Sequence, residues 1–233
     1  KKNYFLMSLI LVILGFNANS QLTAPFTETF SAATFPTTWN QSATGGGPWV
    51  NHRTTSGPAY ISSTIVDHTD GVGGEFAWVD YSLGVNGVIM TSDTIDVSAV
   101  TIPELNFWFN NNLGTNPCSP YNQVYPEVYN GTTWITLDTL QQENAGVWSE
   151  HFYALGAYVL PGNKLLVRFR AEAGASTTGS AFYHDLVIDD ISVRQFSLCR
   201  VPVSLSADSI TDMSAIARWS AGPSTDTAWT VQW

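Results

Sequence analysis

The sequence predicts an all-β fold, an antiparallel β-sandwich, on three observations. Short runs rich in Val, Ile, Phe, Tyr, Trp and Thr alternate with turns rich in Gly, Asn and Pro. The dipeptide Asn130-Gly131 joins two such runs, QVYPEVY and TTWITLD, and this is the strongest short-range signal of a β-hairpin. No segment shows the apolar spacing of a long amphipathic helix.

Residues 1–20 have the composition of a secretory signal peptide. Two lysines precede an apolar run at residues 4–16, and small residues follow at Ala18 and Ser20. The apolar run is short for a membrane span, and no later segment reaches the required length. We therefore expect a secreted or cell-surface protein that begins near Gln21 and has no membrane span in the mature chain.

The predicted strands of the main domain follow one another through residues 21–197, a length sufficient for one sandwich with a sizeable core. The clearest runs are GEFAWVDYS, ELNFWFNNN, QVYPEVY, TTWITLD, KLLVRFRAEA and DLVIDDISV. In KLLVRFRAEA, Leu165, Val167 and Phe169 share one face, while Arg168 and Arg170 fall on the other. This alternation is typical of a sheet that covers a core with one face only.

The charge balance is strongly acidic, with 9 basic and 19 acidic side chains and a net charge of -10. Residues 54–163 contain no Lys or Arg. A phosphate-binding surface needs such residues, so we exclude nucleic acid as a partner and expect cations instead. The alternative is that the acidic excess only keeps an exported protein soluble.

Two adjacent carboxylates, Asp189 and Asp190, lie in the middle of the predicted strand DLVIDDISV. Because successive side chains of a strand point to opposite faces, we expect one of them to face the apolar side. A buried carboxylate needs a partner, which can be an arginine such as Arg168 or Arg170, a set of N–H donors or a metal ion.

The chain has two cysteines, Cys118 and Cys199. In an exported protein they are expected to form a disulfide. Alternatively, Cys199 pairs with a cysteine beyond Trp233, since we expect this sequence to be a fragment of a longer protein.

No catalytic motif is present. The four histidines lack the HExxH spacing, and GASTTG at residues 174–179 lacks the G-x-S-x-G spacing of a nucleophile elbow. Four strand acids offer a glycosidase-like pair, but acids on strands are usually solvated; they are Glu75, Glu104, Glu127 and Glu150. We therefore predict that this segment is not an enzyme.

Aromatic residues are abundant, with 9 Trp, 9 Tyr and 12 Phe. Most belong in the core, but some of them can stack on a sugar or contact a partner protein. The tryptophans considered for this surface are Trp39, Trp49, Trp78, Trp134 and Trp148.

The composition changes after Arg194, and the tail resembles the opening of a fibronectin type III domain. A proline near its start is followed by a strand with Trp219, a Gly-Pro turn and a second strand at residues 229–233. The positions that match early core residues of that family are Pro202, Leu205, Ile210, Ala215, Trp219 and Val231. The resemblance implies a truncated second sandwich over residues 198–233, which exposes sheet edges when alone.

The larger region resembles the MAM domain and the cleaved-adhesin jelly roll of exported Bacteroidota proteins. The matching motifs, in family order, are FTETF, PTTW, DHTDGVGGEFAWVD, MTSDTIDVS, LNFWFN, Trp148, VRFRAE and VIDDISV. The resemblance implies a jelly-roll β-sandwich. The sequence departs from the animal family at Glu104, where that family has a cysteine, and it also lacks the two early cysteines.

The same resemblance implies a structural calcium ion between the first and last strands. The positions that carry over are Glu28, Asp189 or Asp190, Asp67 and, three residues on, Asp70. Calcium takes about six to eight oxygen ligands, which an acidic exported chain offers. The alternatives are a turn at DHTDG without an ion, and an arginine partner for the Asp pair.

Three functions remain open. The first is an adhesion or ligand-binding module that recognises an extracellular protein or glycan. The second is an accessory domain of a secreted hydrolase whose catalytic part lies elsewhere, and the third is a passive spacer.

Overall fold

The structure is a computed structural model. It describes residues 21–32, 34–42, 47–53, 65–71, 74–81, 85–111, 121–141, 146–174, 185–197, 203–211, 213–214 and 216–220. The strands are β1 (Leu22–Thr23), β2 (Phe26–Glu28), β3 (Trp39–Ser42), β4 (Val50–Arg53), β5 (Glu75–Trp78), β6 (Asn86–Ser92), β7 (Ile95–Asp96), β8 (Pro103–Asn111), β9 (Gln123–Tyr129), β10 (Trp134–Thr136), β11 (Ser149–Ala154), β12 (Lys164–Leu165), β13 (Val167–Glu172), β14 (Leu186–Gln195), β15 (Val203–Asp208) and β16 (Ile216–Ser220).

Two antiparallel sheets form a jelly-roll β-sandwich, so the predicted all-β sandwich is confirmed, whereas the fibronectin type III part of the prediction stays a prediction. The five-stranded sheet has the order β10-β9-β13-β6-β3. The six-stranded sheet has the order β11-β8-β14-β5-β4, and β2 also pairs with β14. A small three-stranded sheet, β1-β7-β12, lies beside them, and the described part of the chain contains no α-helix.

The main core lies between the inner faces of the two sheets. Phe107 of the six-stranded sheet meets Phe169 of the five-stranded sheet edge to face, with ring centroids 4.9 Å apart. Trp39 packs on the same Phe169 ring at 6.0 Å. Both phenylalanines are 0% exposed, so the alternating apolar residues of the sequence hold the sheets together.

The two clearest sequence signals are confirmed. Tyr129 pairs with Trp134 across a turn in which the Asn130 side chain accepts the N–H groups of Thr132 and Thr133. Gly131 has a φ of 98°, which favours glycine at that position. In β13, alternate residues are buried in the core, as the pattern KLLVRFRAEA predicted.

A separate hairpin follows the sandwich, formed by β15 and β16. The predicted strand around Trp219 is therefore present, whereas the second predicted strand at residues 229–233 lies outside the described residues. The signal peptide at residues 1–20 also lies outside them. No helix in the described part of the chain is long and apolar enough to cross a membrane.

Candidate functional site

The outer face of the five-stranded sheet carries a group of charged and aromatic side chains. Because paired residues of adjacent strands share a face, Glu127 of β9 and Arg168 of β13 lie side by side there, as do Tyr125 and Arg170. We call this surface the arginine face. It consists of Tyr125, Glu127, Trp134, Arg168, Arg170 and Glu172.

Arg168 is fixed from two sides. Its Nε donates to Oε2 of Glu127 at 2.5 Å. Its Cζ lies 4.3 Å from the ring centroid of Trp134, a cation–π distance. A nearly buried carboxylate therefore holds the guanidinium over the indole ring.

Arg170 repeats this arrangement two residues along β13. Its Nη2 donates to Glu127 at 3.2 Å and its Nη1 to Glu172 at 2.7 Å. Its Cζ lies 4.1 Å from the ring centroid of Tyr125. Burial lowers the pKa of Arg170, but the hydrogen bonds and charges of the two glutamates outweigh it and raise the pKa above its usual value.

The outer face of the six-stranded sheet carries a second polar group, the aspartate cluster, which consists of Asp67, Asp70, Asp189 and Asp190. A β-bulge in β14 determines the positions of Asp189 and Asp190. Asp189 pairs with Trp108 of β8, but the next paired residue is Ser192, so one extra residue is accommodated between them. Asp190 has a φ of 48°, as the first residue of a glycine-type bulge does.

The bulge determines which face the two carboxylates occupy. Ile188 and Ile191 both pack in the main core, although they are three positions apart in β14. Asp189 and Asp190 both contact His68 on the outer side of the sheet. The expectation that one aspartate faces the apolar core is therefore wrong, because the bulge shifts the alternation by one residue.

The segment at residues 65–71 lies over this outer face and supplies hydrogen bonds to the Asp pair. The backbone N–H of His68 donates to Asp189 at 3.0 Å. Nδ1 of the His68 ring lies 2.6 Å from Oδ2 of Asp190, and the Thr69 hydroxyl donates to the same oxygen at 2.5 Å. The alternative of an arginine partner is wrong, since Arg168 and Arg170 bind glutamates of the other sheet.

Aromatic side chains hold this segment in place. The His68 ring stacks on Trp108 with centroids 3.7 Å apart. The indole N–H of Trp148 donates to the Val66 carbonyl at 2.8 Å. A Cβ added to Gly74 would lie 2.5 Å from the Asp67 side chain, so only glycine fits there.

Two members of the cluster, Asp67 and Asp189, are harder to ionise than an ordinary aspartate. Burial raises the pKa of Asp189 to about 8, and the charge of Asp190 adds to this rise. Burial also raises the pKa of Asp67, although the N–H of Asp70 donates to its carboxylate. That last contact closes the predicted turn at DHTDG.

Glu28 approaches the cluster less directly. It pairs with Ile191, whose side chain is in the main core, and its carboxylate accepts the N–H of Phe30 at 2.9 Å. Burial raises its pKa. Ser31, three residues on, donates to Asp70 at 3.3 Å and so links this segment to the cluster.

The remaining predicted residues divide into three groups. Cys118 and Cys199 lie outside the described residues, and their disulfide stays a prediction. Glu104 and Glu150 are both bound by Arg194 at 3.1 Å. Of the considered tryptophans, Trp39, Trp49 and Trp78 are buried in the core, whereas Trp134 and Trp148 are partly exposed.

Sequence reasoning identified the aspartates of the cluster but missed His68 and Thr69, which bind Asp190. It also missed the pairing of Arg168 and Arg170 with Glu127. Among the described residues, no three His, Cys, Asp or Glu side chains are placed so that they could hold a metal ion together. Calcium at the aspartate cluster therefore stays a prediction.

No family model and no curated protein match this chain. Among solved structures, it is similar to TmCBM61 in complex with β-1,4-galactotriose at 11% identity and a TM-score of 0.44, covering 69% of this chain and 90% of that chain. It is similar to the CBM22-2 xylan-binding domain from Paenibacillus barcinonensis Xyn10C at 13% identity and a TM-score of 0.45, covering 73% and 99%. It is also similar to the enzymatically active domain of tailspike protein 4 from bacteriophage CBA120 at 11% identity and a TM-score of 0.40, covering 69% and 20%. At such low identities and TM-scores these similarities carry no argument about function.

Proposed function

We propose that the sandwich is a non-catalytic glycan-binding module of an exported protein, and that the glycan binds to the arginine face. The observation that carries this proposal is the side-by-side arrangement of two guanidinium–ring stacks, Arg168 on Trp134 and Arg170 on Tyr125. Planar groups fixed in this way offer flat surfaces to the C–H face of a sugar ring. The N–H groups that the glutamates leave free can bind sugar hydroxyls.

The composition of the face favours a glycan over a protein partner. Protein interfaces depend on buried apolar anchors at their centre. In the described ranges, the large apolar side chains that are exposed lie outside the strands of the five-stranded sheet; they are Ile102, Tyr121, Val147, Ile210, Met213 and Ile216. Arg168 and Arg170 keep 18% and 24% of their side-chain area exposed, enough to meet a ligand.

A glycan array probed with the chain from Gln21 to Trp233 tests this function. We expect binding to at least one polysaccharide, and we expect Trp134→Ala and Tyr125→Ala to weaken it about tenfold or more, since each removes one stacking surface. Phe152→Ala is the matched control, because Phe152 pairs with Asn106 in the opposite sheet. Equal binding by all of these variants would place the ligand elsewhere.

We further propose that calcium binds at the aspartate cluster. Its donors are hard oxygen atoms, the kind that calcium prefers, and a cation would relieve the repulsion between Asp189 and Asp190. Asp67, Asp189 and Asp190 would hold the ion, with Asp70 at the margin, and their carboxylates would have to turn towards it. The ion would supply a fixed positive charge that ties the 65–71 segment to β14.

Thermal unfolding with calcium and with a chelator tests this site. A bound ion stabilises only the folded state, so the midpoint should rise with calcium. The rise should vanish in the double variant Asp189→Asn, Asp190→Asn. Glu28→Gln shows whether Glu28 takes part, because a non-ligand at that position leaves the calcium effect unchanged.

A further inference from the structure

The charged side chains of the arginine face neutralise one another. It carries two guanidinium groups and two carboxylates, and ion pairs of 2.5, 3.2 and 2.7 Å join them. Glu127 binds both arginines and is only 4% exposed in its side chain, while Glu172 binds Arg170 at the margin. The arginines therefore present no uncompensated positive charge to a ligand.

An anionic ligand would have to compete with these carboxylates. To pair with Arg168 or Arg170 in the same geometry, a uronate or sulfate group would displace Glu127. That nearly buried carboxylate would then lose an arginine partner, and the Thr136 hydroxyl, 3.1 Å away, carries no compensating charge. Removing one partner from such a pair is strongly unfavourable. The chain as a whole also carries a net charge of -10, which repels polyanions.

A neutral ligand meets neither obstacle. A guanidinium has five N–H groups, and Arg170 uses three of them, on Nε, Nη1 and Nη2, for its two glutamates. The others can donate to hydroxyl oxygens without disturbing an ion pair. Arg168 and Arg170 lie two residues apart on one strand, about 6.8 Å, so their planes form a row along β13.

We propose that the ligand of the arginine face is an uncharged polysaccharide and that Glu127 determines this choice by neutralising both guanidinium groups. This inference rests on the proposed glycan-binding function and names its ligand class. Glu127 is a specificity-determining residue at the base of the face and need not touch the sugar.

The test uses the chain from Gln21 to Trp233 in native electrophoresis through gels that contain one polysaccharide each. Neutral polymers are compared with anionic ones, including β-1,4-mannan and polymannuronate, which share ring stereochemistry and differ in charge. The wild-type chain should be retarded by at least one neutral polymer and by none of the anionic ones. Glu127→Gln keeps the side-chain shape but removes its charge, so it should gain retardation by polymannuronate, with affinity up about tenfold and lost in high salt.

Each outcome has a distinct meaning. If the wild-type chain binds an anionic polymer as well as its neutral counterpart, the face still binds glycans and the ligand class is wrong. If no polysaccharide of either kind retards the chain, the proposed function fails and this inference fails with it. If a folded Glu127→Gln variant gains no polyanion binding, Glu127 does not set the choice; Glu172→Gln, at a more exposed position, repeats the test should Glu127→Gln misfold.

Discussion

The outer faces of the two sheets provide different partners for their buried carboxylates. On the arginine face, Glu127 is held by two guanidinium groups that also stack on aromatic rings. On the opposite sheet, Asp189 is fully buried and receives N–H groups of His68 and Asp190. On the arginine face each carboxylate has an arginine partner, whereas in the aspartate cluster burial raises the pKa of Asp189 and Asp67. These differences agree with the two proposals, a neutral ligand at the arginine face and a calcium ion at the aspartate cluster.

The largest expected effect is a loss of stability as the pH rises. The pKa of Asp189 is raised from 3.8 to about 8 in the folded state, so the folded protein holds a proton that the unfolded chain has released. The contribution of Asp189 to stability is then greatest below pH 3.8 and falls as the pH rises to about 8, by up to ~1.4 kcal/mol per pH unit. Urea unfolding across this range, with chelator present, measures the slope.

Asp185 contributes in the same direction, because burial raises its pKa to about 7. Asp189→Asn should therefore flatten part of the slope, and the double variant with Asp185→Asn should flatten more of it. Saturating calcium should also flatten the slope, since a cation favours the ionised carboxylate. If the slope of Asp189→Asn is as steep as that of the wild-type chain, Asp189 is ionised in the folded protein.

Removal of Glu127 tests the other face. Glu127→Ala leaves two partly buried guanidinium groups without their shared carboxylate and should cost about 1–3 kcal/mol of unfolding free energy. This is less than for a fully buried pair, because both arginines reach solvent. Glu172→Ala is the control, with an expected loss below about 1 kcal/mol at its more exposed position. Equal losses would mean that Glu127 is not the centre of the face.

Local sequence predicts the direction of the side chains on the arginine face but not their ion pairs, and for the aspartate cluster it predicts neither. The alternation in KLLVRFRAEA assigns Arg168 and Arg170 to the outside, and the Asn130-Gly131 turn brings Trp134 back beside the strand of Glu127. Both signals span a few residues. They therefore determine side-chain direction without knowledge of the rest of the fold.

The contact between His68 and Asp190 joins residues 122 positions apart. No local pattern indicates it, and the bulge that permits it has Asp190 where glycine is usual. The local pattern of DLVIDDISV predicts a regular strand. In the structure the strand contains a bulge, and the two aspartates of the bulge contact the 65–71 segment. For this reason the sequence indicated that the Asp pair needs a partner but misassigned its face.

The bulge itself makes a smaller, separable contribution. At a φ of 48°, an alanine is strained by about 1–2 kcal/mol relative to glycine. Asp190→Ala should therefore destabilise the protein more than Asp190→Gly, although both lose the same hydrogen bonds. Asp190→Asn, which tolerates this conformation, should lie closest to wild type when denaturation midpoints are compared. If Asp190→Ala and Asp190→Gly have the same denaturation midpoint, the strand does not keep the bulge in solution.

The smallest expected effect has the opposite sign and lies away from both faces, at Asp96. Hydrogen bonds from Ser98 and then Lys164 lower the pKa of Asp96 from 3.8 to about 2. Its ionised form is favoured in the folded state, so its contribution is present above pH 3.8 and is lost as the pH falls towards 2. Asp96→Asn should lower the melting midpoint slightly at neutral pH and leave it closer to wild type in acid. Asp189→Asn should instead raise the midpoint at neutral pH and have little effect in acid, where the wild-type carboxyl is already protonated. If both substitutions shift the midpoint in the same direction at neutral pH, the pKa values of Asp96 and Asp189 are not shifted in opposite directions by hydrogen bonding and burial.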